Sequence, residues 1–213
     1  MSQMIRMGFP LALQAMLFPI ANSIVQAGVN TMGTDQIAAW GICDKLNMLI
    51  WLMSDSMGPA LTTFVAQNLG AKNPERIRKG VTMGTSMSVG AVALISVGLF
   101  FFARILTPLF VSSQDAASLG VLVGTYSRMM APFFFFYAIA EALSGACCGT
   151  GDTVRPMITT LLAICLLRVI GILLVLPIYG TMECIVVIYI TSWIAAGVSF
   201  LALWRFDVAH ISK

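Results

Sequence analysis

The sequence predicts an all-α polytopic membrane protein with six transmembrane helices, and three observations carry that prediction. Hydrophobic residues make up 59% of the 213 and charged residues only 10%, with a mean hydropathy of +0.92, more apolar surface than a soluble core of this size can absorb. Several apolar runs exceed the ~18 residues that a spanning helix needs, so lipid is the solvent for most of the chain. These runs lack the alternation of barrel strands, and in hydrocarbon only helices and closed barrels satisfy every backbone polar group.

Turn residues divide the chain into spans near 8–32, 37–68, 80–102, 124–148, 156–177 and 181–205, a single six-helix unit over residues 1–213. The opening "MSQMIRMGFPLALQAMLFPIANSIVQ" reads as the first span rather than a signal peptide. Pro10, Gln14, Pro19, Asn22 and Gln26 interrupt it, and no small-residue cleavage site follows a short apolar core. "GTDQ" introduces the second span and "GAKNPERIRK" the third. The longer "ARILTPLFVSSQDAASLG" leads to the fourth, with residues 115–124 readable as a short interfacial helix or as an ordinary loop. "GTGDTVR" and "YG" set off the last two.

Lys72, Arg76, Arg78 and Lys79 crowd the second connection, Arg155 the fourth, Arg6 the start, and Arg205 with Lys213 the end, all on one side. The opposite side has "GTDQ" and "YGTME", without Lys or Arg, and the third connection, flanked by Arg104 and Arg128. The positive-inside rule then predicts a multi-pass protein of the cell membrane with both termini cytoplasmic. Membrane lipid is the obligatory neighbour, and a net charge of +3 gives no reason to expect nucleic acid. The basic stretch "NPERIRKG" needs no role beyond docking on anionic headgroups. Five cysteines in or beside apolar segments, and one histidine, His210, provide neither a disulfide framework nor metal-ligand spacing, so no metal or other cofactor is expected.

Five ionisable residues fall inside the spans: Asp44, Lys45, Asp55, Glu141 and Arg168. On a lipid-facing surface at mid-bilayer each would cost roughly 2.5–3.5 kcal/mol on insertion scales, so such groups turn to protein or water and mark candidate sites. Asp44 and Asp55, eleven residues apart, share one helical stripe with Trp51 between them. Pro59 has no N–H, so the carbonyl of Asp55 loses its helical partner; carboxylate and carbonyl together suit Na⁺ or a proton relay. The alternative is that Gly58 and Pro59 only kink the helix and Asp55 caps or pairs nearby. Lys45 is expected to snorkel outward.

Glu141 shares a face with Tyr137, Ser144 and Cys148, and Arg168 lies about 18 Å deep, within reach of Asp55 or Glu141. An Arg168–acid ion pair is therefore expected, either as part of a site or as structure alone. Asn22, Gln26 and Asn30 fall within a narrow arc of the first span, with Gln14 further round, and read as a wet cavity wall or as interhelical hydrogen bonds. The fourteen methionines and "FFFFY" suit flat apolar cations or plain lipid packing.

Two motifs are set aside. Gly149-Thr150-Gly151-Asp152 reads G-x-G-D, but an intramembrane aspartyl protease needs two facing acids, and Asp152 sits in a polar turn before Arg155; no enzyme is expected. Gly149 or Gly151 instead offers a left-handed cap, and Asp152 or Thr153 an N-cap. Gly80, Gly84 and Ser88, four apart, form an internal packing face.

"GFPLALQAMLFPIANSIVQ", "NTMGTDQIAAWGI", "GPALTTFVAQNLGAKNPERIRKG" and "EALSGACCGTGDTVRPM", in that order and spacing, resemble the C-terminal half of multidrug and toxic compound extrusion (MATE) transporters across essentially the whole chain. The resemblance implies one lobe of a secondary active antiporter that exports cationic or amphipathic drugs or metabolites in exchange for Na⁺ or H⁺. It also implies a partner: the N-terminal six-helix lobe or a second six-helix chain. A fragment or truncated reading frame is expected. Asp55, Glu141 and Arg168 become the ion, substrate and counter-charge candidates, with Asn22, Gln26, Trp51 and Tyr137 in the wall. The chain departs from the family pattern in having Gln14 and no acid in its first helix, Tyr137 where the fourth helix usually carries an acid, and Cys148 for the arginine of "RGxGD". The alternatives are a non-transporting membrane scaffold or assembly subunit, or a lipid-precursor flippase of the same superfamily.

Overall fold

Each apolar run closes its backbone hydrogen bonds as a helix, and the ends are set by local chemistry. The computed structural model describes residues 2–112 and 115–211, with side chains from residue 8 to residue 209. Lys213 and the side chains of Arg6 and His210 lie outside the described residues. Helix α1 spans Ser2–Val29 and contains Pro10 and Pro19. Gly33, at φ +92°, turns the chain into α2, Thr34–Gly70, which carries Pro59.

Asn73 caps α3, Pro74–Leu106, its side-chain oxygen accepting from the Arg76 N–H at 3.1 Å with Pro74 in the first turn. Arg76, Arg78 and Lys79, expected in the connection, are therefore helical, and Lys72 stays in the turn at φ +54°. Helix α4 runs Ala116–Gly149 with one 3₁₀ turn, Ala131–Phe133, around Pro132. Residues 116–124 are the start of this spanning helix, neither a separate interfacial helix nor a loop.

Gly151, at φ +93°, reverses the chain, and the Asp152 carboxylate accepts the N–H groups of Val154 (3.0 Å) and Arg155 (3.2 Å) to cap α5, Val154–Tyr179. Two π-helical stretches, Leu161–Leu166 and Gly171–Val175, interrupt α5 on either side of Arg168. Gly180, at φ +60°, ends α5, its N–H donating to the Leu176 carbonyl at 2.8 Å, and α6 follows, Met182–Ile211. Five of these helices, all but α2, are long and apolar enough to cross a membrane. The chain is a multi-pass helical membrane protein, and large apolar side chains such as Leu94, Phe101, Ile105, Leu173 and Ile178 face outward.

Helices α2 and α4 form the central pair. A Cβ on Gly145 would lie 2.1 Å from the Gly58 carbonyl oxygen, so the two backbones touch there, and the Thr62 hydroxyl reaches the carbonyls of Gly145 (2.8 Å) and Gly58 (3.0 Å). Gly149 continues the seam against Thr62 and Val65. On the outer flank of α2, Gly80 receives Phe64 and Gly84 receives Leu61, so the small-residue face of α3 packs within the bundle. Helix α6 packs on the far side of α4, and α5 joins α1 to α6. One apolar cluster gathers Ile50, Tyr126, Phe134 and Trp193; a second gathers Leu61, Ile77, Val81, Leu143 and Phe200. Between α1 and α2 the packing opens into a cavity.

Candidate functional site

Four helices and α5 contribute to this cavity, whose volume is about 390 Å³, within the ordinary range of ligand sites. On α2, Trp40, Asp44, Trp51 and Asp55 recur at steps of four, seven and four, which places all four on one stripe facing it. On α1, Phe18, Asn22, Ser23 and Gln26 form the opposite wall. Tyr137 of α4 donates its hydroxyl to Asp55 Oδ1 at 2.8 Å. Tyr189 and Trp193 of α6, one turn apart, complete an aromatic lining: Trp40 and Tyr189 centroids lie 5.2 Å apart, Tyr189 and Trp193 5.8 Å, Tyr137 and Trp193 6.2 Å.

Arg168 reaches the wall from α5 and is only 3% exposed. Its Nη1 donates to Asn22 Oδ1 and its Nε to Ser192 Oγ, both at 3.0 Å, and the guanidinium lies 4.0 Å from the Tyr189 ring centroid and 6.0 Å from that of Phe18. The expected ion pair with Asp55 or Glu141 is not formed. Depth along α5 allowed it, but α5 packs against α1 and α6, so its buried side chain meets those helices rather than the acids.

Of the residues singled out in the sequence, Asn22, Gln26, Trp51, Asp55, Tyr137 and Arg168 therefore share one cavity. Glu141 lies one turn beyond Tyr137, partly buried and outside the wall, with its backbone carbonyl beside Gly58; among the described residues its side chain makes no hydrogen bond or ion pair. Gln26 Nε2 donates to Asn30 Oδ1 at 3.0 Å along α1. Asp44 joins Asp55 in the wall, a role its spacing in the sequence already allowed. Trp40, Tyr189, Trp193, Phe18 and Ser23 carried no such signal, being uncharged residues in apolar runs.

A second polar cluster lies at the end of the bundle where α5 starts. Arg155 pairs with Asp152 and, through Nη1, with Asp207 of α6 at 2.9 Å, and stacks over Phe206. Asp207 is buried and was not singled out in the sequence. Partial burial pushes Asp152 up, but the Arg155 hydrogen bond and charge and the amides of Arg155 and Val154 hold its carboxyl below the usual value.

The cavity can hold a cationic group against two carboxylates and several ring faces. A family model described as MatE matches residues 10–174. The chain is 24% identical over 164 residues to a probable multidrug resistance protein, YpnP, of Bacillus subtilis, an overlap of 77% of this chain and 36% of that one. It is 28% identical over 109 residues to an FAD transporter of Shewanella oneidensis, 51% of this chain and 24% of that one. Among solved structures, an outward-facing MATE family transporter of the MOP superfamily superposes with a TM-score of 0.87 at 16% identity, over 98% of this chain and 47% of that one. The chain thus spans about a third of the length of the first curated relative and just under half of that structure.

Proposed function

Because the chain belongs to the MatE family, we propose that it forms one six-helix lobe of a secondary active antiporter that exports cationic or amphipathic compounds in exchange for Na⁺ or H⁺. The observation that carries this reading is the cavity that joins Asp44 and Asp55 to the rings of Trp40, Trp51, Tyr137, Tyr189 and Trp193. Carboxylates attract a cation, ring faces accept its flat apolar body, and low-dielectric walls strengthen both interactions.

In this reading Asp55 is the exchange point. The Tyr137 hydroxyl fixes one carboxylate oxygen, and Pro59 leaves the Asp55 carbonyl without its helical donor, so a proton or Na⁺ and the substrate compete for the same oxygens. That competition supplies the differential affinity exchange requires. Glu141 serves as a second acid one turn from Tyr137, Arg168 as a fixed positive charge on the α5 wall, and Asn22, Gln26 and Trp51 as the wetted wall. The exposed acids of α2 cannot face lipid, so the polar side of that helix closes against the N-terminal six-helix lobe or a second six-helix chain. Both termini lie in the cytoplasm, with the Lys72–Lys79 connection on the same side.

Efflux of a fluorescent organic cation from proteoliposomes under an imposed Na⁺ or H⁺ gradient tests this. Asp55→Asn and Glu141→Gln are each expected to lower gradient-driven efflux at least about tenfold, the loss that follows when an exchange acid no longer binds its ion. Unchanged efflux in both would assign the acids to interhelical bonding, the role they would have in a non-transporting subunit.

A further inference from the structure

Arg168 is a buried guanidinium surrounded by neutral partners. Asn22 and Ser192 accept from Nη1 and Nε, and Tyr189 offers a ring face. These groups orient the fork without neutralising it. Among the described residues no carboxylate lies within ion-pair distance, although Asp44 and Asp55 line the same cavity from α2. Among the described residues Nη2 donates to no acceptor, and it is not one of the sealed, unpartnered polar atoms of the interior. A fixed positive fork therefore stands on the α5 wall while two acids stand on α2.

We propose that this cavity receives a zwitterion, its cationic group held by Asp44 and Asp55 and its carboxylate held by Arg168. The proposal rests on the cavity being the substrate site and specifies which substrates it favours. A pure cation gains from the acids but brings a like charge toward the guanidinium. A ligand bearing both charges satisfies both walls and gives the buried arginine the counter-ion the fold withholds. A planar fork with free donors matches a carboxylate better than a point charge would. The two charged walls also set orientation, with the carboxylate toward α1, α5 and α6 and the cation toward α2.

A matched pair of dyes isolates the carboxylate: a rhodamine bearing the free acid, which is a zwitterion, and its methyl ester, which is a cation. Fluorescence polarisation of each dye with the purified full chain in nanodiscs, corrected for empty nanodiscs, gives the two affinities. The wild type is expected to bind the free acid about tenfold more tightly than the ester. Arg168→Gln is expected to bring that ratio to about one, with the free acid binding more weakly and the ester, freed of a like charge, more tightly than in wild type. Arg168→Lys retains the charge but loses the fork, so an intermediate ratio is expected, and this variant decides the matter if the glutamine variant fails to fold. Equal binding of the two dyes by wild type, tighter binding of the ester, or a ratio unaltered in the arginine variants overturns the inference and leaves the cavity reading intact. Binding of neither dye by wild type overturns both.

Discussion

At the scale of single residues, the fold depends on places where a side chain is missing. Gly145 is one, because the α2–α4 seam brings the backbone at Gly58 to where its Cβ would stand. Backbone cannot retreat as a side-chain tip can, so Gly145→Ala must push α4 away from α2 and loosen the Thr62 hydrogen bond. A loss of about 1–3 kcal/mol is expected, seen as a lower thermal unfolding midpoint in detergent. Gly90→Ala in α3, where nothing lies within 4 Å, should leave the midpoint unchanged or raise it, since alanine is the better helix former. Equal midpoints for the two variants would contradict the seam. The sequence made the small residues visible, but their partners depend on helix rotation, which spacing alone does not fix. The same limit explains Arg168: its depth was readable, and the direction of its side chain was not.

At the scale of elements, helix ends were more legible than helix interiors. Asn73-Pro74 and Gly151-Asp152 are local signals, and both act where they stand. The π-helical stretches around Arg168 have no comparable sequence mark, since an apolar run reads alike in α and π registers. Asp207 was missed because it lies beyond the expected end of the sixth span, although it joins α6 to the start of α5. The α5 cap carries a pH dependence. The Asp152 carboxyl titrates below its ordinary value when folded, so its charge stabilises the fold above the unfolded pKa, near ~3.9, and that contribution is lost as pH falls through the folded value. Asp152→Asn keeps a capping oxygen but drops the charge. Its unfolding midpoint should fall below wild type at neutral pH, with the gap narrowing in acid; a gap of constant size from neutral to acid pH would show that the charge is not responsible.

At the scale of the whole molecule, composition was enough to place the chain in the membrane and turn residues to cut it into helices, because lipid permits so few alternatives. The cavity was only partly legible. Its charged and amide residues stood out against apolar surroundings, while its aromatic wall was indistinguishable from packing until α6 was set against α2. Helix α2, too polar to count with the five strongly apolar helices, has a consequence for biogenesis. Insertion machinery that tests nascent segments one by one meets Asp44, Lys45 and Asp55 at roughly 2.5–3.5 kcal/mol each near mid-helix, a barrier that the segment's own apolar residues offset poorly. It should wait in the aqueous phase until α3 emerges, then cross as one arm of a hairpin. Protease protection of membrane-bound chains checks this. A chain stopped at Gly80 should offer its Lys72–Lys79 stretch to trypsin on the outer face, and one extended through Leu106 only on the cytoplasmic face. Cytoplasmic cleavage of the shorter chain would mean that α2 enters unaided.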